Sequence, residues 1–171
     1  KSELNAVKLN IKNKGELIEA ADEIKNNFRQ KSLDAENFLI QPFVQAKHEL
    51  IIGGFRDPSF GPLVMFGTGG KYVETLDDTS VKSAYLNDSD VDEMIAATKI
   101  GKVLSGVRGE EPMDIELFRS IIKSVARMMQ ERKEIAEIDL NPLIITEEHK
   151  LAAVDIRIKI GSHFTKVEDE L

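Results

Sequence analysis

Glu137-Ile138-Asp139-Leu140-Asn141-Pro142-Leu143, then Ile144-Ile145-Thr146, then Ala153-Val154-Asp155-Ile156-Arg157, is the most informative segment of the chain. Two apolar runs flank a short polar turn, the pattern of a β-hairpin. In a strand Glu137, Asp139 and Asn141 point to one face, while Ile138 and Leu140 point to the other. The returning run carries one carboxylate, Asp155. An acid-x-Asn pair with an Asp on the returning strand offers oxygen ligands on a rigid support, which is what a hard divalent cation needs.

The shared site depends on register. A turn centred on Glu148 sets Asn141 opposite Asp155. A turn centred half a step later sends the two to opposite faces. Pro142 can also introduce a bulge. The same alternation serves an ordinary hairpin with a solvated outer face.

Outward from the hairpin, the preceding sequence changes period. Ile115, Phe118, Ile122, Val125 and Met129 predict a helix up to about Arg132. Val91, Met94, Ile95 and Thr98 predict another, capped by Ser89 and ending near Gly101. Further back, Glu49–Phe55, Leu63–Phe66 and Tyr72–Leu76 read as strands, and Gly67-Thr68-Gly69-Gly70 reads as a loop between two of them. Such a loop does not open a helix, so it is neither a Walker loop nor a dinucleotide fingerprint. Arg56-Asp57-Pro58-Ser59-Phe60-Gly61-Pro62 is a turn by composition, with Asp57 bonding its own backbone. Phe38–Val44 reads as a strand that Pro42 confines to an edge. Lys14–Gln30 is an amphipathic helix preceded by a capping-box pattern, Asn13 and Glu16. Val7–Ile11 alternates as a strand. The tail after Gly161 is polar. This order predicts an α+β fold with a mostly antiparallel sheet.

The chain has 171 residues, a net charge of −7 and no cysteine. Acidity argues against nucleic acid or anionic membrane partners, since the long-range field has the wrong sign. The lack of cysteine removes disulfides, thiolate metal sites and thiol nucleophiles. It fits a reducing compartment, and a cytoplasmic location is expected. No apolar run is long enough to cross a bilayer. His48, His149 and His163 have no partners at metal spacing, and no Ser-His-Asp arrangement is visible. Arg108, between glycines, reads equally as a phosphate or carboxylate contact and as a solvated loop residue. The chain starts at Lys1 rather than Met, so residues are expected before it.

Taken together, these segments resemble the ATP-grasp domain of the ADP-forming acyl-CoA synthetases, and more distantly the β-subunit of succinyl-CoA synthetase. The likeness runs through Lys1-Ser2-Glu3-Leu4-Asn5-Ala6-Val7, Ile40-Gln41-Pro42-Phe43-Val44, Glu49-Leu50-Ile51-Ile52-Gly53, Arg56-Asp57-Pro58-Ser59-Phe60-Gly61-Pro62 and Phe66-Gly67-Thr68-Gly69-Gly70. It continues through Gly106-Val107-Arg108-Gly109, Asp139-Leu140-Asn141-Pro142-Leu143 and Asp155-Ile156-Arg157. It implies an ATP-grasp fold over residues 1–171, a mostly antiparallel sheet flanked by helices, with the N-terminal small lobe incomplete.

The resemblance also implies roles. Gln41 to Val44 would hold adenine through backbone groups, and Glu49 would accept hydrogen bonds from the ribose hydroxyls. Asn141 and Asp155 would be magnesium ligands. Asp139, the acid of the acid-x-Asn pair, would assist the metal or the phosphoryl acceptor. Arg108 and Arg157 fall in motifs of the family. The implied reaction interconverts acyl-CoA, ADP and phosphate with acid, CoA and ATP, through phosphohistidine and acyl phosphate intermediates. Mg2+ and ATP or ADP are the implied cofactors. The implied partner is a CoA-binding α-subunit or a fused CoA-binding domain, giving a hetero-oligomer or a fusion.

Two departures stand out. The family's histidine before Lys-Ser would precede Lys1, and Asn5-Ala6-Val7 replaces its Gly-Gly-Val. The family's phosphate-binding lysine would also precede Lys1, so this piece alone is expected to be inactive. The alternative reading is a non-catalytic ATP-grasp-like regulatory module of a protein acetyltransferase. Degenerate copies of that kind tend to lose the Asn or the Asp, and both are present here.

Overall fold

A computed structural model describes residues 5–70, 77–106 and 111–161. The chain divides into two compact units, Lys1–Val44 and Gln45–Leu171. In the first, helix α1 spans Lys14–Gln30. Asn13 Oδ1 accepts the Glu16 amide at 3.0 Å, and Glu16 Oε2 accepts the Lys12 amide at 2.7 Å. The first satisfies a donor that a helix start leaves open, and the second ties the residue before the cap to the first turn.

Neither Val7–Ile11 nor Phe38–Val44 is a strand, contrary to the sequence reading. Alternation gives a segment strand propensity, but a strand exists only with a ladder partner. Among the described residues the first unit holds no strand to pair with. Val7, Leu9, Leu39 and Ile40 are correspondingly exposed.

Among the described residues the second unit has six strands: β1 His48–Asp57, β2 Gly61–Thr68, β3 Thr79–Ser83, β4 Ile135–Ile145, β5 Leu151–Ala153 and β6 Ile156–Ile160. Their order is β3-β2-β1-β4-β5, with β6 also on β4, and every pairing is antiparallel. Among the described residues the unit also holds helices α2 Asp88–Ala97, α3 Lys99–Leu104 and α4 Ile115–Glu131. Among the described residues no helix is long and apolar enough to cross a membrane.

Helix α4 buries Phe118, Ile122, Val125, Ala126 and Met129, one stripe at helical spacing. It packs onto Leu50, Ile52, Val64 and Phe66, all fully buried. Each such side chain contributes about 1.5–3 kcal/mol when removed from water. The helix sits close on β1: a β-carbon on Gly54 would lie 2.5 Å from Met129 Cγ. Arg56 ties the end of this helix down, donating to the carbonyls of Met129, Arg132 and Ile135 at 2.6, 2.8 and 2.7 Å. Asp57 Oδ1 accepts from the amides of Ser59 and Phe60, as the turn composition predicts.

Three details differ from the sequence reading. The first helix after the loop is capped by Asn87, not Ser89, in a reciprocal box with Asp90. It stops at Ala97, and Thr98 caps a separate short helix. Strand β3 was not anticipated, because Thr79–Ser83 is polar and exposed at alternate positions as an edge strand is. Tyr72–Leu76, Arg108 and the tail after Gly161 lie outside the described residues.

Candidate nucleotide and metal site

Even-numbered residues of β1 face the helices. Odd-numbered ones, Glu49, Ile51, Gly53 and Phe55, face the other side of the sheet. On β4 that side carries Glu137, Asp139 and Asn141. Leu140 pairs with Ile52 and Leu143 with Leu50, so Asn141 and Pro142 together face the single residue Ile51. This is a β-bulge. The extra residue lets Leu140 and Leu143 both turn toward the core while Asn141 stays on the opposite face. The Asn141-Pro142 peptide is cis.

The hairpin register is set by the pairs Leu143↔Ala153, Ile144↔Ala152 and Ile145↔Leu151, which centre the turn on Glu148. Beyond the bulge the same register resumes with Leu140↔Ile156 and Asp139↔Arg157. Between them the Asn141 amide donates to the Asp155 carbonyl at 3.1 Å. Asn141 and Asp155 are therefore cross-strand neighbours. Arg157 Nη2 donates to Asp155 Oδ2 at 3.1 Å.

Asp139 lies in an electrostatically costly place. Its Oδ1 is buried and has no hydrogen-bond partner. Burial pushes its carboxyl above the usual carboxylate range. Arg157 opposes that shift, and Glu137 and Asp155 add to it. Asp139 and Glu137 line a concavity of about 400 Å³ together with Ile51, Gly53, Phe55 and Met65.

Glu49, half-buried at the start of β1, comes close to Asn141 through a corner that follows β2. The Gly69 amide donates to the Glu49 carbonyl at 2.8 Å. The Gly70 amide donates to Asn141 Oδ1 at 2.9 Å. The structure thus brings Glu49, Asn141 and Asp155 together at the β4 bulge, with Asp139 and Arg157 two ladder positions along. Gln41 and Val44 belong to the first unit, outside regular secondary structure, with Gln41 exposed and Val44 half-buried. Sequence reasoning passed over Gly70, reading it only as part of a loop between strands. The Gly-Gly pair at the end of a strand was the available signal.

Among the described residues no three His, Asp or Glu side chains lie close enough to hold a metal. The oxygen donors present still fit magnesium, which is commonly held by one or two carboxylates with substrate phosphates and water completing its shell. The unpartnered Asp139 Oδ1 marks a spot where an added positive charge would be welcome.

Residues 1–160 match the family described as "ATP-grasp domain". The chain is 42% identical over 160 residues to the acetate–CoA ligase [ADP-forming] I subunit beta of Pyrococcus furiosus, covering 92% of this chain and 68% of that one. It is 39% identical over 161 residues to the 4-hydroxybutyrate–CoA ligase [ADP-forming] of Nitrosopumilus maritimus, covering 92% of this chain but 23% of that one. Among solved structures it is similar to the dinucleotide forming acetyl-coenzyme A synthetase 1 of Ca. Korarchaeum cryptofilum in complex with coenzyme A and Mg-AMPPCP. That match has a TM-score of 0.77 at 40% identity and covers 94% of this chain and 70% of the other. The chain therefore spans about two thirds of the acetate–CoA ligase β subunit and less than a quarter of the 4-hydroxybutyrate–CoA ligase. These relatives are ADP-forming CoA ligases and an acetyl-coenzyme A synthetase, and none is a protein acetyltransferase, so the regulatory-module reading finds no support.

Proposed function

Since this chain belongs to the ATP-grasp domain family, with β subunits of ADP-forming acetate–CoA ligases among its relatives, we propose that it is the nucleotide- and magnesium-binding part of an ADP-forming acyl-CoA synthetase. The reaction proposed for the whole enzyme converts acyl-CoA, ADP and phosphate to acid, CoA and ATP, and the reverse, through phosphohistidine and acyl phosphate intermediates. A CoA-binding α-subunit or fused domain completes it, in the cytoplasm.

One observation carries this reading: Asn141 stands opposite Asp155 on the hairpin, with Glu49 linked to the same place through Gly69 and Gly70. Asn141 and Asp155 would hold magnesium, which when bound supplies positive charge to phosphate oxygens. Glu49 would accept hydrogen bonds from the ribose hydroxyls and so fix the nucleotide along the sheet. Gln41 and Val44 would hold adenine by backbone groups. Asp139, raised in pKa and unpartnered at Oδ1, would assist the metal or the phosphoryl acceptor. Arg108 and Arg157 would contribute cationic groups. The work of these residues is positioning and charge neutralisation, which dominate phosphoryl transfer.

The test is Asn141→Ala and Asp155→Ala in the complete enzyme. Both are expected to abolish magnesium-dependent phosphoryl transfer while circular dichroism and melting temperature stay close to those of the wild type. Unchanged turnover in both variants removes the metal assignment.

A further inference from the structure

The Gly69-Gly70 corner is threaded between two residues to which the proposed function gives separate ligands. On one side, the Gly69 amide is held by the Glu49 carbonyl at 2.8 Å. On the other, the Gly70 amide donates to Asn141 Oδ1 at 2.9 Å. Gly70 has φ +81°, in the left-handed region where a β-carbon is strained. A β-carbon built there would lie 1.7 Å from Glu49 Oε2 and 2.9 Å from its Cδ. The corner is therefore in contact with the Glu49 carboxylate and bonded to the Asn141 amide at once.

We propose that Gly70 is a positioning residue that couples the nucleotide and metal sites: its N–H fixes the Asn141 side chain, and its bare Cα leaves room for the Glu49 carboxylate. This rests on the assignment of Asn141 to the metal and Glu49 to the ribose. An amide oxygen has two lone pairs. The Gly70 N–H uses one and leaves the other for a cation. It also settles which end of the Asn141 amide is oxygen, since an N–H faces only an acceptor. Ordering the ligand before the metal arrives removes part of the entropic cost of binding. Because the same glycine borders Glu49, displacing it disturbs both groups.

The test uses the complete enzyme, with Mn2+ and Mn2+·ADP as probes. Gly70→Ala must either move the Glu49 carboxylate or shift the corner off Asn141. It is expected to weaken Mn2+ binding without nucleotide by about tenfold or more, the size of effect seen when a hydrogen-bond partner of a metal ligand is lost. Metal-free ADP binding is expected to weaken in the same variant. Hydrogen exchange supplies a readout that does not depend on Gly70→Ala folding. The Gly70 amide should exchange slowly in the wild type, stay slow when Mn2+ is bound, and exchange faster in Asn141→Ala. An unchanged exchange rate in Asn141→Ala overturns the proposal. So does normal Mn2+ affinity in a folded Gly70→Ala when Asn141→Ala has lost it. Normal Mn2+·ADP affinity in Asn141→Ala overturns the metal assignment as well.

Discussion

Asp155 and Arg157 lie two residues apart on the returning arm of the hairpin, and the Arg157 Nη2 reaches Asp155 Oδ2 at 3.1 Å. The guanidinium also sits across the ladder from Asp139. It is a cation placed beside carboxylates to which the proposed function assigns a different cation. On that assignment Arg157 would compete with a divalent ion for Asp155. Arg157→Gln is expected to tighten the binding of bare Mn2+ by about two- to fivefold, the scale of an exposed ion pair. Titration of the intact enzyme without nucleotide measures this. Weaker bare-metal binding in Arg157→Gln would show that the arginine assists the metal instead.

Asp139 sets a pH dependence of known sign. Its folded carboxyl is raised by burial, with Arg157 opposing and with Glu137 and Asp155 adding. A raised acid binds its proton more readily when folded than when unfolded. Stability therefore falls as pH climbs from the unfolded value, about 3.9 for Asp, through the raised folded value. Above that window the penalty persists in full. Asp139→Asn is expected to be more stable than the wild type at neutral pH without ligand, and to lose this slope. Urea denaturation of the two proteins from pH 4 to pH 8 checks both points. Slower phosphoryl transfer in the same variant would identify that instability as a cost of function.

Asp78 presents the opposite sign. It is 6% exposed, and its carboxylate accepts the Thr68 hydroxyl at 2.5 Å and the Lys99 and Ile100 amides at 2.6 and 3.1 Å. Burial pushes its pKa up, but these donors and the nearby Lys99 charge outweigh burial and hold it below the usual range. Its contribution is complete above the unfolded value and is lost as pH falls through the lowered folded value. Asp78→Ala is expected to cost about 3 kcal/mol, because three donors lose a charged acceptor. Asp78→Asn should cost less, since one acceptor oxygen remains. Denaturant midpoints at neutral pH measure both, and their difference from wild type should shrink in strong acid.

How much of this was legible depends on how far apart the interacting residues lie. The Glu137–Asn141 alternation and the returning Asp155 are local, and they located the hairpin and the face carrying its oxygens. The choice between two registers was open in the sequence because one residue of turn reverses every side chain. The Glu148-centred turn settles it in favour of Asn141 opposite Asp155. The α4 stripe was readable because Phe118, Ile122, Val125 and Met129 repeat over about three turns. Val7–Ile11 misled because its period was right while its ladder partner was missing. Gly70 escaped notice for a different reason. Its hydrogen bond spans 71 residues to Asn141, and nothing near Gly70 in the sequence announces that partner. Asp78 was missed in the same way, since its donors come from Thr68 and from the start of α3.

The sheet consists of a sequence-local meander, β1 to β3, and a hairpin in which β5 and β6 both pair with β4, zipped together along the seam between β1 and β4. Closing that seam joins segments about eighty residues apart, and loop closure over such distances is slow compared with forming local turns. Glu49 and Asn141 sit on either side of it. Ligand-binding competence should therefore return only with the late kinetic phase of refolding, after most secondary structure has formed. Stopped-flow circular dichroism run beside Mn2+·ADP capture would reveal that lag, and simultaneous recovery of both signals would contradict it.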